Sequence, residues 1–308
     1  MKLFFAPLQG YTDAAYRRFH NEVFEGCIDC YYTPFLRIER KEVRSKDLRD
    51  ILPENNEGVK IVPQIIVKDV DEFRALVDVV SSIGYEEVDI NMGCPFPLQT
   101  KKGRGAALLS RPKMVEEILT ELKGFSDIKF SVKMRLGNDE ISQWQQIIPL
   151  LNDAPLNHVT IHPRIATQQY KGNVELETFQ QVYDSLKHKV VYNGDVSTIE
   201  DIIRLNTMFP KLYGIMIGRG LLASPSIAWE YINNERLSNS QQIEKFLILH
   251  NKLFHYYESK LQGDSQLLTK MKTIWDYCEP LIGHKSHKLI KKASNIAKYM
   301  QIVSSLNK

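Results

Sequence analysis

Several short stretches of this 308-residue chain carry side chains that a hydrophobic core has no use for. In Asp89-Ile90-Asn91-Met92-Gly93-Cys94-Pro95 an apolar run ends in an amide and a thiol. Lys133 and Arg135 interrupt the apolar run Ser131-Val132-Lys133-Met134-Arg135, Gln64 follows Val62-Pro63, and His162 and Arg164 close His158-Val159-Thr160-Ile161. A buried, unpaired ammonium is very costly, so Lys133 needs a partner, and an electron-rich ligand is one. Asn193-Gly194-Asp195 and Gly218-Arg219-Gly220 are glycine turns that can expose backbone N–H groups, with an arginine beside them. Singly, Gln64 reads as a satisfied core amide, His162 as a structural histidine and Cys94 as a small buried residue. Together, at a series of strand ends, they call for one site.

The elements that must position them follow from hydrophobic periodicity. Strands are predicted at 3–7, 28–35, 60–66, 87–91, 129–134, 158–162, 189–193 and 212–217. Helices are predicted at 12–24, 71–82, from Pro112, and at 143–151, 175–187 and 198–206; residues 40–58 read as a loop with a short helix. Eight strands, each leading to a helix, fit an α/β fold of the (β/α)8 TIM-barrel type. No repeat of fixed period accompanies the count. In such barrels chemistry sits where strands end, and the ends of strands seven and eight habitually hold phosphate. With a phosphate there, Gln64, Lys133 and His162 line the space of a planar cofactor. A lysine near the electron-accepting edge of a flavin stabilises the reduced ring, which favours FMN, with another phosphorylated ligand left open.

After Ile232 comes a polar linker, 233–240, and then only helical patterns, at about 241–260, 265–278 and 285–304. The expected domains are a catalytic barrel at 1–235 and a small all-helical domain at 241–308. Residues 241–308 hold eleven Lys, no Arg and five acidic residues, a net of +6 in a chain of net +3, so the body is mildly acidic. That asymmetry suggests a polyanionic partner. Lys285, Lys288, Lys291 and Lys292 fall on one helical stripe; a solvated face explains any one of them better than the set.

Apolar and charged fractions of 43% and 25% are those of a soluble globular protein. No apolar run approaches the roughly 18 residues of a membrane span. The N-terminal apolar stretch is too short for a signal peptide, so cytoplasmic residence without membrane attachment is expected. Four cysteines make no secreted disulfide framework, and Cys27 and Cys30 lack a second pair at zinc spacing, so no metal is expected.

These motifs resemble the tRNA-dihydrouridine synthase family. The likeness runs through Ala6-Pro7-Leu8-Gln9-Gly10-Tyr11-Thr12-Asp13, the Asn91-to-Pro95 motif, Lys102-Gly103-Arg104-Gly105-Ala106-Ala107-Leu108-Leu109, Val132-Lys133-Met134-Arg135-Leu136-Gly137, His162-x-Arg164, Gln168-x-Tyr170-x-Gly172 and the two glycine turns. The family's basic residue after strand six is Ala166 here. The resemblance implies an FMN-bound barrel, a tRNA-holding helical domain, and reduction of a uridine to 5,6-dihydrouridine with NADPH as reductant. It implies that Cys94 donates a proton to carbon 5 while hydride reaches carbon 6. Ala6, Pro7, Leu8, Gln64, Lys133 and His162 would hold the flavin, and Asn193, Gly194, Asp195, Gly218 and Arg219 its phosphate. Substrate would meet Asn91, Arg135, Arg164, Lys101, Lys102 and Arg104, and, on the tail helix, Lys270 and Lys272. The protein is expected to act as a monomer. A barrel acting on a free pyrimidine would not need the basic tail, and a non-catalytic RNA-binding protein would not need Cys94, Lys133 and His162.

Overall fold

The computed structural model describes residues 1–307. Its main sheet is a ring of parallel strands: Lys2–Phe5, Cys30–Tyr32, Ile61–Val62 with Gln64–Ile65, Glu87–Met92, Lys129–Gly137, Leu156–Ile165, Lys189–Tyr192 and Gly214–Ile217. The first strand pairs with both the second and the last. The third is split at Pro63, which has no N–H to give the ladder. Ile61–Val62 pairs with the second strand and Gln64–Ile65 with the fourth. Leu36 then stitches the split, donating to the Gln64 carbonyl (2.8 Å) and accepting from the Ile66 N–H (3.0 Å). The chain therefore forms the expected (β/α)8 barrel, with helices outside the ring.

Alternation along each strand decides which side chains enter the barrel. Val88, Ile90 and Met92, and likewise Phe130, Val132 and Met134, belong to the buried layer under the helices. Their neighbours Asp89, Asn91, Ser131, Lys133 and Arg135 are left for the barrel interior. Lower in the ring Phe4, Cys30, Tyr32, Val62, Val191 and Met216 fill that interior with apolar atoms. A polar layer thus sits on an apolar plug.

Three expectations change. The expected loop 40–58 opens inside a small antiparallel hairpin, Ile38–Glu39 with Glu42–Val43, which precedes the helix Ser45–Ile51. Its turn uses Arg40 and Lys41 at positive φ (53° and 71°), where glycine or asparagine would normally advertise it. The helix expected at 12–24 runs Ala14–Val23, with Asp13 as its N-cap, accepting from the Tyr16 N–H at 3.1 Å. The single helix expected at 285–304 is two, Glu279–Lys292 and Ile296–Ser304, because Asn295 accepts from the Lys298 N–H (2.9 Å) and starts a new one.

The C-terminal helices share a core centred on the fully buried Trp275, whose Nε1 donates to the Tyr299 hydroxyl at 2.7 Å. The helix Asn239–Lys260 lies along Ala14–Val23, with Tyr256 edge-on to Phe19 and Lys252 2.7 Å from Glu22. Among the described residues no helix is long and apolar enough to cross a membrane.

Candidate active site

The register of the strands brings the predicted residues together. Gln64 is level with Asp89, Asn91 with Lys133, and Arg135 with His162. A cavity of about 570 Å³ opens above them at the C-terminal end of the barrel. Ala6, Pro7, Leu8, Gln64, Asn91, Cys94, Lys133, Arg135, His162, Asn193, Gly194, Asp195, Gly218 and Arg219 all border it.

Cys94 is held by its backbone. The Asn91 Oδ1 accepts from the N–H groups of Gly93 (3.0 Å) and Cys94 (2.8 Å), and the Arg135 Nε donates to the Gly93 carbonyl at 3.0 Å. From the other side the Ala106 N–H donates to the Cys94 carbonyl at 3.1 Å. A Cβ on Gly105 would stand 2.9 Å from that of Cys94, at a φ of +61°, so only glycine lets the loop return this closely. Burial pushes the thiol above its ordinary 9.0, against the opposing pull of the Phe96 N–H, Arg135 and Lys133. Cys94 is a protonated thiol at neutral pH. Asn91 spends Oδ1 on this turn and one amide hydrogen on Gln64 Oε1 (2.7 Å), which leaves one N–H for a ligand.

Lys133 has no acceptor within ion-pair or hydrogen-bond reach among the described residues. Burial and then the Arg135 charge lower it to about 8, while Asp89 pulls weakly the other way. His162 is pushed well below 6.5 by burial and by Arg135, Lys133, Arg164 and Arg219, so it is neutral. Arg164 can only donate to its Nε2 (3.3 Å), which places the ring proton on Nδ1 as the free donor. A cavity bearing an unpaired ammonium, a neutral imidazole donor and a cationic rim suits a planar, electron-rich, phosphorylated ligand; a flavin nucleotide fits these residues. Among the described residues no group of three or more His, Cys, Asp and Glu could hold a metal ion, and Cys27 and Cys30 are both free and buried.

Beside the two glycine turns, Asp195 pairs with both Arg164 and Arg219, the latter at 2.8 Å. Its carboxylate would repel a phosphate; its place is to hold two arginines. Arg219 also lies over the Tyr170 ring, 4.5 Å from its centroid. A Cβ on Gly220 would meet the Val196 carbonyl oxygen at 2.0 Å, so the turn closes only with glycine there.

Other expected contacts lie elsewhere. Arg104 is buried, paired with Glu72 and donating to the Ile38 carbonyl (2.8 Å), so it pins the loop instead of meeting phosphate. Arg164 is 1% exposed and faces Asp195 and His162 rather than the cavity. Lys101 and Lys102 are exposed on the loop, away from the central cavity. Lys270 is paired with Asp13 at 2.8 Å, across the junction of barrel and C-terminal helices. Lys272 is half-buried on the same helix. Tyr170, Tyr277, Phe35 and Phe96 also border the cavity. Tyr170 stands in a recognisable motif but carries no assigned role there, and nothing near Tyr277 in the sequence marks it.

The family model described as dihydrouridine synthase matches residues 4–305. A probable tRNA-dihydrouridine synthase of Helicobacter pylori is 28% identical over 287 residues, 90% of this chain and 83% of that one. The tRNA-dihydrouridine(16) synthase of Neisseria meningitidis is 25% identical over 233 residues, covering 74% and 70%. Among solved structures, the old yellow enzyme of Trypanosoma cruzi superposes with a TM-score of 0.54 at 10% identity, covering 77% of this chain and 89% of that one. Morphinone reductase gives 0.53 at 10% identity, with 77% and 87% covered. At such identity these two share the fold alone.

Proposed function

The chain belongs to the dihydrouridine synthase family, and from that premise we propose that it is a flavin-dependent tRNA-dihydrouridine synthase that uses FMN and NADPH to reduce a uridine of tRNA. The observation that carries this reading is Cys94: a buried thiol kept protonated, its turn fixed from three sides, on the same cavity as the unpaired Lys133. When bound, the flavin supplies the hydride, drawn from NADPH, that adds to carbon 6 of the uracil. Cys94 gives its proton to carbon 5, quenching the charge that develops on the ring as a general acid does. The one free Asn91 N–H holds a uracil carbonyl. Lys133 and the His162 Nδ1–H hold the electron-rich edge of the cofactor, and Gln64 its ring. Arg219, steadied by Asp195 and Tyr170, meets the phosphate.

The uridine must leave the tRNA stack to reach residues at the ends of the barrel strands. The C-terminal segment, residues 241–308 with net +6, holds the tRNA through phosphates, which makes binding salt-dependent without choosing a sequence. The protein works as a monomer in the cytoplasm. Purified protein should be yellow with a flavin spectrum and should form dihydrouridine in tRNA from cells lacking it. Protein that binds no flavin under any condition would overturn this reading.

A further inference from the structure

One ionisable group inside the barrel has no role in the reaction as set out above. Asp89 is fully buried, one layer below the cavity, and it is not among the residues that border it. Its Oδ1 accepts from the Ser131 hydroxyl (2.6 Å) and its Oδ2 from the Gln64 Nε2 (2.7 Å). Gln64 Oε1 in turn accepts from Asn91 Nδ2 (2.7 Å), and Asn91 Oδ1 accepts from the backbone N–H groups of Gly93 and Cys94.

We propose that Asp89 is a positioning residue whose carboxylate sets the direction of a three-link hydrogen-bond relay, Asp89–Gln64–Asn91, and so fixes the turn that carries the Cys94 thiol. An amide side chain is nearly symmetric in shape, and only its partners decide which end is oxygen. A carboxylate can only accept, so Gln64 must turn its N–H₂ to Asp89 and its oxygen to Asn91. Asn91 must then turn its N–H₂ to Gln64, which leaves its oxygen for the two backbone donors. Without the acceptor at 89 only the two backbone donors oppose a joint flip of both amides. A flipped Asn91 would set N–H₂ against the N–H groups of Gly93 and Cys94, donor against donor, and the turn would open. Burial is costly for this carboxyl and raises it to about 6, so a carboxylate kept here serves more than packing.

The inference rests on Cys94 as proton donor, but its test need not. In the full-length protein as purified, the alkylation rate of each cysteine by iodoacetamide can be read by peptide mass spectrometry. Cys27, Cys30 and Cys278 are also buried and serve as internal standards. Asp89→Leu should alkylate at Cys94 about ten-fold faster, the scale of one lost hydrogen bond in a buried network, with the other three cysteines unchanged. Asp89→Asn, which can keep its oxygen on Gln64 and give its N–H₂ to Ser131, should stay near the parent rate, as should Ser131→Ala. In tRNA reduction Asp89→Leu should lower kcat with little change in KM for tRNA, and Asp89→Asn should restore it. If Asp89→Leu does not fold, Gln64→Met cuts the same relay one link nearer the thiol; because Gln64 also faces the flavin ring, its alkylation is compared with that of the flavin-free parent, and the same rise of about ten-fold at Cys94 is expected.

An unchanged Cys94 rate in the Leu or Met variant overturns the relay. So does a rise shared by all four cysteines, which marks general loosening, or an Asn variant as fast as Leu. Full tRNA reduction by Cys94→Ala would instead defeat the proton-donor reading, whatever the alkylation rates show.

Discussion

Lys270 Nζ lies 2.8 Å from Asp13 Oδ2 and joins the C-terminal helices to the N-cap of the first barrel helix. The Tyr257 hydroxyl donates to the same carboxylate at 2.7 Å, and Lys270 also reaches the Gly10 carbonyl at 3.3 Å. A residue expected to touch tRNA is thus first a docking residue. Lys270→Ala should lower the unfolding midpoint by the equivalent of about 1–2 kcal/mol, because it strips a half-buried carboxylate of its cation. It should weaken tRNA binding without altering the salt slope, whereas replacing exposed Lys285 or Lys288 should reduce that slope by about one each. Denaturant titration and binding at several salt concentrations would check both.

The same pair gives docking a pH limit. Burial raises the Asp13 carboxyl, but Lys270 and Tyr257 outweigh it and hold it below its ordinary 3.8. A carboxyl lowered in the folded state contributes its stability above the unfolded value and loses it as pH falls through the folded one. The contribution should therefore be complete well above 3.8 and fade only as pH falls below that value. Asp13→Asn should show no such acid step when unfolding midpoints are compared across that range.

Lys133 works in the opposite sense. Its folded value of about 8 lies below the ordinary 10.5, so between them the unfolded chain binds the extra proton and stability rises with pH. Below 8 the whole cost of the buried charge is present. Lys133→Met should raise the stability of flavin-free protein at neutral pH by about 1–2 kcal/mol, after allowance for the solvent the cavity admits, and remove the alkaline rise. The same variant should bind flavin roughly ten- to a hundred-fold more weakly, because the proposed binding mode loses a charged hydrogen bond to the ring. Thermal melts with and without flavin would show both changes.

What the sequence could and could not reveal follows from how each residue acts. Eight short strand-like runs, each leading to a helix-length segment, made the barrel legible, and polar groups at the strand ends marked Cys94, Lys133, His162 and Asn91, because apolar strands have no other use for them. Arg104 and Arg164 are also basic and near those motifs. Their burial depends on Glu72 and Asp195, partners 32 and 31 residues away that no spacing announces. Lys270 invites reading as an RNA contact for the same reason: its partner Asp13 is distant in sequence. The hairpin at 38–43 stayed hidden because Arg40 and Lys41 make a turn that usually needs glycine or asparagine.

Asp195 offers a test of the proposed phosphate end. It is 37% exposed, yet its partner Arg164 is almost fully buried. Asp195→Asn tolerates the left-handed backbone there (φ 45°) but leaves Arg164 without a countercharge. The expected loss is about 2–3 kcal/mol, below the figure for a fully buried pair. Arg164→Met on that background should recover part of it, because the stranded charge is gone. Flavin affinity should fall in Asp195→Asn, since Arg219 loses its 2.8 Å anchor. Denaturant titration and flavin fluorescence would separate the two effects.

Cys94 gives the sharpest pH prediction, because donor and nucleophile differ in sign. A nucleophilic cysteine gains activity as pH rises through its value, since the thiolate reacts. A proton donor loses activity there. Burial holds Cys94 above 9.0 despite the Phe96 N–H and two nearby cations, so tRNA reduction at saturating reductant should be level through neutral pH and decline only beyond 9. Cys94→Ala should lose about a hundred- to ten-thousand-fold in tRNA reduction, the range ascribed to a general acid, while flavin-dependent NADPH oxidation continues. Single-turnover reduction of tRNA across pH would decide it. A rate that climbs toward alkaline pH in the parent, or that survives in Cys94→Ala, would remove the thiol from the reaction.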